Sequence, residues 1–131
     1  MSTDTGKLVL RLTLGLLLLF HGWSKITGGV DFVTGMLQSN GLPGFLAYLV
    51  YLGEFLAPLF LIAGAYTRVA AYIIVGNMVV AIFLVHMGEI FTLGGAGGWA
   101  LELQAFYIMT AVVVILLGPG KLSFMPESRW N

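Results

Sequence analysis

A single carboxylate, Glu54, stands inside the apolar stretch YLVYLGEFLAPLF, residues 48–60, and Pro58 follows four positions later. A charge at mid-bilayer costs on the order of 3 kcal/mol even on the lenient insertion scale, so such a residue is expected to face a bundle interior or a wet cavity. A carboxylate in that position can hold a proton or pass one on. Pro58 lacks the N–H that would pair with the carbonyl of residue 54, so side chain and backbone present acceptors at one point and the helix is expected to kink. Counting inward from the outer helix ends at about 1.5 Å per residue puts Glu54, nine residues from Phe45, at a depth of roughly 13 Å. Asn77, ten residues from Met87, and Tyr107, eight from Trp99, fall at nearly the same level. The three form a candidate interhelical layer in which Asn77 and Tyr107 donate to Glu54. Two readings stand: a proton-coupled or ligand-binding site, and a polar lock between helices.

A second polar group gathers nearer the outer face. His21 ends the first apolar run, His86 ends the third, Glu102 sits one turn into the fourth, and Lys25 and Glu89 lie just above. His21 and Lys25 are four residues apart and His86 and Glu89 three, so each pair can share a helix face. Imidazole titrates near neutral pH and desolvated carboxylates shift upward, which makes the group competent for proton transfer. Three readings compete for it. One is a quinone pocket, in which a His or Glu exchanges protons with the headgroup and Trp23, Trp99 or Phe106 supplies aromatic walls. Another is haem or metal ligation by His21 and His86, which no recognised motif supports, so no metal site is assigned. The third is interfacial hydrogen bonding and ion pairing. On a straight helix Asn77 and His86 point nearly opposite ways, so the two polar groups form distinct layers unless the helices bend. At the inner face, Arg11 and Arg68 read as cytoplasmic anchors, Arg11 reaching out to lipid phosphates and Arg68 capping a hairpin.

These residues need elements to hold them, and the composition says what kind. With 59% hydrophobic residues and 9% charged ones among 131, the chain has too little polar surface to cover a globule in water. Six Lys plus Arg balance six Asp plus Glu, so no net field attracts nucleic acid. The absence of Cys excludes disulfides, thiolate ligands, covalent haem attachment and thiol–disulfide catalysis by this chain. Four apolar runs, 8–23, 45–65, 69–87 and 99–118, each approach the roughly 20 residues that cross a bilayer. The first carries Arg11 and closes in HGWSK without a small-x-small site, so it reads as a retained helix rather than a signal peptide.

Lys7, Arg11, Arg68, Lys121 and Arg129 lie at one end of these runs and only Lys25 in the loops at the other, which predicts both termini cytoplasmic. The short AYTR link forces the second and third runs into a tight hairpin. In the first outer loop Phe32, Met36 and Leu37 recur at helical spacing before Gly41 and Pro43 stop the pattern, which predicts a short interfacial helix. Gly53, Ala57 and Gly64 on the second run, and Ala70, Asn77 and Ala81 on the third, form a seam of small residues for close packing. The expected fold is an all-α integral membrane protein: four transmembrane helices in an antiparallel bundle over residues 1–123, then a short cytoplasmic tail, 124–131.

The ordered set RLTLGLLLLFHGWSK, NGLP, the Glu54 region with a later AGAYTR, and GPGKLS resembles the DoxX family of small four-helix bacterial and archaeal membrane proteins. The resemblance covers nearly the whole chain. It departs from the family where Phe124 and Met125 follow Ser123, since an acidic residue commonly stands there, and any role of that acid does not transfer. The resemblance implies a place in the cytoplasmic membrane and a role as a membrane subunit in redox assemblies, the family's namesake belonging to a thiosulfate:quinone oxidoreductase. The leading expectation is a subunit of a redox or quinone-linked assembly, docking membrane or periplasmic partners and binding quinone through the polar residues in the outer half of the bundle. The alternatives are a structural or assembly subunit without chemistry of its own, and transport of a small solute or proton by a homo-oligomer.

Overall fold

In a computed structural model the protein is helical, with no strand among the described residues beyond one isolated bridge between Leu93 and Trp99. The structure describes residues 2–95, 97–124 and 131, without the side chains of Ser2, Val85 and His86. Helix α1 spans Ser2–Gly28 and a short α2 spans Asp31–Ser39. Helix α3, Gly44–Ala63, is assembled from unlike turns: 3-10 over Gly44–Tyr48, π-helical over Leu52–Leu56, and regular α over Ala57–Ala63. Helix α4, Thr67–Ala81, continues into a π-helical turn, Ile82–His86, and α5 spans Glu102–Leu117. Among the described residues three stretches are long and apolar enough to cross a membrane: Thr3–Gly28, Gly44–Ala63 and Thr67–Leu84. Helix α5 is apolar but shorter, at 16 residues.

One apolar core joins the four long helices through Leu14 and Leu18, Ala57 and Leu61, Ala71 and Ile74, and Ala111 and Val114. Large apolar side chains such as Phe20, Phe83 and Leu116 are turned outward, as suits a chain whose surroundings are lipid. A separate small cluster, Val30, Leu37 and Ala47, ties α2 to the start of α3.

Pro58 occupies the first turn of the regular segment of α3, where a missing N–H is tolerated. The expected disturbance takes the form of the π-helical widening at Leu52–Leu56, which surrounds Glu54. Helix α1 closes on this part of α3 through two glycines seven residues apart. A Cβ on Gly15 would lie 3.0 Å from the Pro58 carbonyl oxygen and 2.8 Å from Ile62 Cγ1. One on Gly22 would overlap the Glu54 carbonyl and lie 2.9 Å from the Phe55 Cα. Backbone cannot yield as a flexible side chain does, so Gly22→Ala is expected to cost about 3 kcal/mol, at the upper end for overpacking, with Gly6→Ala, which meets open space, near neutral. Unfolding midpoints in mixed micelles check this; equal midpoints for the two variants would contradict the close approach.

At the other end of the bundle the structure corrects the reading of Arg11. Its side chain does not reach out to lipid phosphates; it is 1% exposed, and its guanidinium donates to backbone carbonyls. Nε donates to Pro119 O at 3.0 Å, Nη1 to Leu61 O at 2.8 Å, and Nη2 to Leu122 O. Leu61 lies in the last turn of α3, where its carbonyl also accepts from Gly64 N at 3.2 Å, and a cation there faces the negative end of the helix dipole. The sequence GPGKLS folds back to bring its carbonyls over the same group, and Phe124 N donates to Ala63 O at 3.1 Å. Arg68 does not cap the α3–α4 hairpin in which it stands; its Nε donates instead to Ile115 O, in the last turn of α5, at 2.9 Å.

Gly64, at φ 75°, ends α3 with its N–H on Phe60 O, and the Ala65 N–H shares that acceptor. Asn131 is buried against this turn: its Oδ1 accepts from Thr67 N and its Nδ2 donates to Gly64 O, both at 2.7 Å. Asn131 therefore sits against the bundle. Arg129 and the rest of the expected tail, residues 125–130, lie outside the described residues.

Candidate functional site

Helix α1 does not end at Trp23 but runs to Gly28, and that extra length decides the site. It carries Lys25 one turn beyond His21 on the same face, and the ammonium turns inward instead of lying above the bundle. Lys25 Nζ meets Glu54 Oε1 at 2.7 Å. Asn77 Nδ2 donates to the other carboxylate oxygen at 3.4 Å. Tyr51 fixes the end of α1 from the α3 side by donating its hydroxyl to the Lys25 carbonyl at 3.2 Å. Glu54 is 6% exposed, so the ion pair and the Asn77 amide replace the water that its carboxylate has lost.

Asn77 reaches this carboxylate because Gly53, the residue before Glu54, leaves room for it. A Cβ on Gly53 would lie 2.6 Å from both Cβ and Cγ of Asn77. The expected seam of small residues thus meets the polar layer at one point. Tyr107 comes from α5 and is 8% exposed; it does not donate to Glu54 as expected but packs edge-on against the His21 ring, with centroids 5.7 Å apart and planes at 89°.

Lys25, Glu54, Asn77, His21, Tyr107 and Gln104 all line one cavity of about 670 Å³. Most of its remaining wall is apolar: Phe32, Val33, Met36 and Leu37 from α2, Leu46, Leu49 and Leu52 from α3, Ile73, Met78 and Leu84 from the α4 segment. The volume lies within the range of small-molecule pockets, which pair apolar walls with a few convergent polar groups. The polar group carries one cation and one carboxylate already paired, so its formal charge balances. Lys25 keeps two N–H donors beyond the one given to Glu54, which suits a neutral ligand head with hydrogen-bond acceptors.

The structure thus brings together residues that the sequence divides between two layers. Lys25 and His21 join Glu54, Asn77 and Tyr107. Glu102 does not: it is exposed in the first turn of α5, its carboxylate against Gly98. Glu89 is exposed in the 3-10 turn Met87–Glu89 and does not line the cavity. The side chain of His86 lies outside the described residues, and with it the pairing with His21. Trp23, Trp99 and Phe106 do not form the aromatic wall; they are 59%, 43% and 71% exposed, and Trp99 Nε1 donates to Ile90 O at 2.6 Å. Phe32 supplies an aromatic ring to the wall instead. Gln104, overlooked as a candidate, stands three residues before Tyr107, a spacing that places both on one helix face.

Similarity to known proteins bears on the same residues. Over 83 residues, 63% of each chain, the sequence is 36% identical to the inner membrane protein YqjF of Escherichia coli K12, so the match spans less than two thirds of that relative. It is 28% identical over 128 residues, 95% of this chain and 88% of the relative, to a Bacillus subtilis 168 protein named "Putative oxidoreductase CatD". No solved structure matches. The DoxX family model matches residues 6–87, which hold every lining residue of the cavity except Leu103, Gln104 and Tyr107. With that match running from α1 through the π-helical turn after α4, the chain belongs to the DoxX family of membrane proteins.

Proposed function

We propose that the chain is an integral membrane subunit of a redox assembly and that its cavity receives the head of a quinone. The observation that carries this reading is the cavity of about 670 Å³, lined mostly by apolar side chains and by the joined polar group Lys25, Glu54 and Asn77. A quinone carbonyl is a neutral acceptor for Lys25, and its ring and chain match the apolar wall. Glu54 and His21 are groups able to exchange protons with a reduced headgroup. The name of the Bacillus subtilis relative supports the redox part of the reading. In this reading α5 is the fourth span of an antiparallel bundle over residues 1–123, α2 lies at the outer interface, and both termini, with the tail 124–131, are cytoplasmic. Electrons in this reading come from a partner subunit or a bound cofactor, the chain having no Cys with which to relay them.

Purification in native lipid tests this. The protein is expected to retain quinone and a redox partner, and Asn77→Leu, which removes the second donor to Glu54, is expected to lower the retained quinone several-fold. A chain recovered alone, without quinone and without effect on electron transfer in membranes that lack it, contradicts the reading. One observation favours a second reading, an assembly subunit without chemistry: the Lys25–Glu54 pair ties α1 to α3. In that case Glu54→Gln lowers the yield of the complex and leaves turnover per assembled complex unchanged.

A further inference from the structure

The cavity wall formed by α2 is attached differently from the rest of the bundle. Helix α2 contributes nothing to the core shared by the four long helices and packs instead in the small cluster around Val30, Leu37 and Ala47. It is bounded by Gly29 at φ 83° and Gly41 at φ 77°, with nothing within 4 Å of where a Cβ would stand on either. These glycines are therefore present for backbone conformation and not for close packing, and they flank a nine-residue helix with no side-chain cap at its start. Val33, Met36 and Leu37 on the inner face of α2 line the cavity, and Val80 and Ala81 of α4 line it as well. Leu49, Leu52 and Val80 line the cavity and are also exposed on the outside of the bundle, so the cavity is reached from the apolar side surface of the long helices.

We infer that α2 is a hinged flap that admits the ligand sideways from the bilayer. The ligand class is an amphiphile with a flat, neutral, acceptor-bearing head on a flexible apolar chain. The head passes under α2 to Lys25, and the chain stays in the gap between α2 and α4. Opening breaks the contacts of the small cluster and leaves the main core intact, so it is a local event, and sites guarded this way are limited by the rate of flap motion. This inference rests on the quinone reading for the identity of the head and on the fold alone for the motion.

Because the chain has no Cys, a thiol pair can be introduced without background. Thr34 of α2 and Gly44 at the start of α3 lie side by side outside the cavity lining, a Cβ on Gly44 standing 2.9 Å from Thr34 Cγ2. In T34C/G44C, closed as a disulfide in phosphatidylcholine nanodiscs, loading of tritiated decylubiquinone is expected to be about tenfold slower than in the same protein after reduction and cleavage of that bond. Equal loading before and after cleavage overturns the flap. Amide exchange on the unmodified protein gives a second reading that needs no variant and no ligand. Residues 31–39 are expected to exchange at least about tenfold faster than the buried turns of α1 and α3, as a locally opening unit does. Protection equal to theirs overturns the flap. Absence of quinone binding by the unmodified protein overturns the quinone reading, whereas the exchange data judge the flap independently.

Discussion

Arg11→Met is expected to lower stability by on the order of 4 kcal/mol, through unpaired carbonyls and not through a lost lipid anchor. The guanidinium serves Leu61, Pro119 and Leu122 together, and a second contact from Nη1 to Ile62 O is 3.5 Å long. A buried carbonyl left without a donor costs about 1–3 kcal/mol. Pro119 O is left so, Leu61 O keeps the Gly64 N–H at 3.2 Å, and Leu122 O is part-buried, so the loss also includes the packing of a side chain that is 1% exposed. Methionine fills similar space but donates nothing. Arg11→Lys separates charge from geometry: one ammonium cannot span acceptors from the end of α3 and from the returning GPGKLS loop, so it should recover less than half of the loss. Reversible unfolding in mixed micelles measures both variants. Stability restored by Lys would mean that the positive charge alone matters, as in an anchor at the lipid phosphates.

Glu54→Ala should be the next largest loss, about 2–4 kcal/mol, because it strands the Lys25 ammonium and removes the acceptor for Asn77. The lower half of that range applies if the Lys25 side chain, 27% exposed, swings toward the interface. The diagnostic quantity is the coupling. Lys25→Met in the Glu54→Ala background should cost little or even restore stability, giving a coupling of about 1–3 kcal/mol across the pair. Simple additivity of the two single losses would show that the pair contributes nothing as a pair.

Much of the site could be read from residue spacing. Depth counting from the outer helix ends put Asn77 level with Glu54, and the two side chains meet. Pro58 signalled an irregular helix, and the irregularity is there as a π-helical turn. Lys25 was misplaced because the apolar run fades at Trp23, whereas α1 persists to Gly28 on backbone hydrogen bonding and on Tyr51, a contact 26 residues away that no local pattern displays. Arg11 was misread for a related reason. An arginine one turn from a membrane boundary suits a lipid anchor, and only the return of residues 118–124 to the end of α3 supplies the carbonyls that bury it. Glu102 has the right depth in sequence but the wrong azimuth: it lies on the exposed side of α5, while Gln104 and Tyr107 line the cavity.

The central claim is that one cavity, lined in part by Lys25 and Glu54, holds a quinone head. Photolabelling with an azido-quinone in nanodiscs, followed by peptide mapping, addresses it most directly. Label is expected on residues 32–54 and 73–84, displaced by unlabelled decylubiquinone and reduced several-fold in Glu54→Gln. Label confined to the outward-facing side chains of α1 and α5, undiminished by competitor and unchanged in Glu54→Gln, would contradict it.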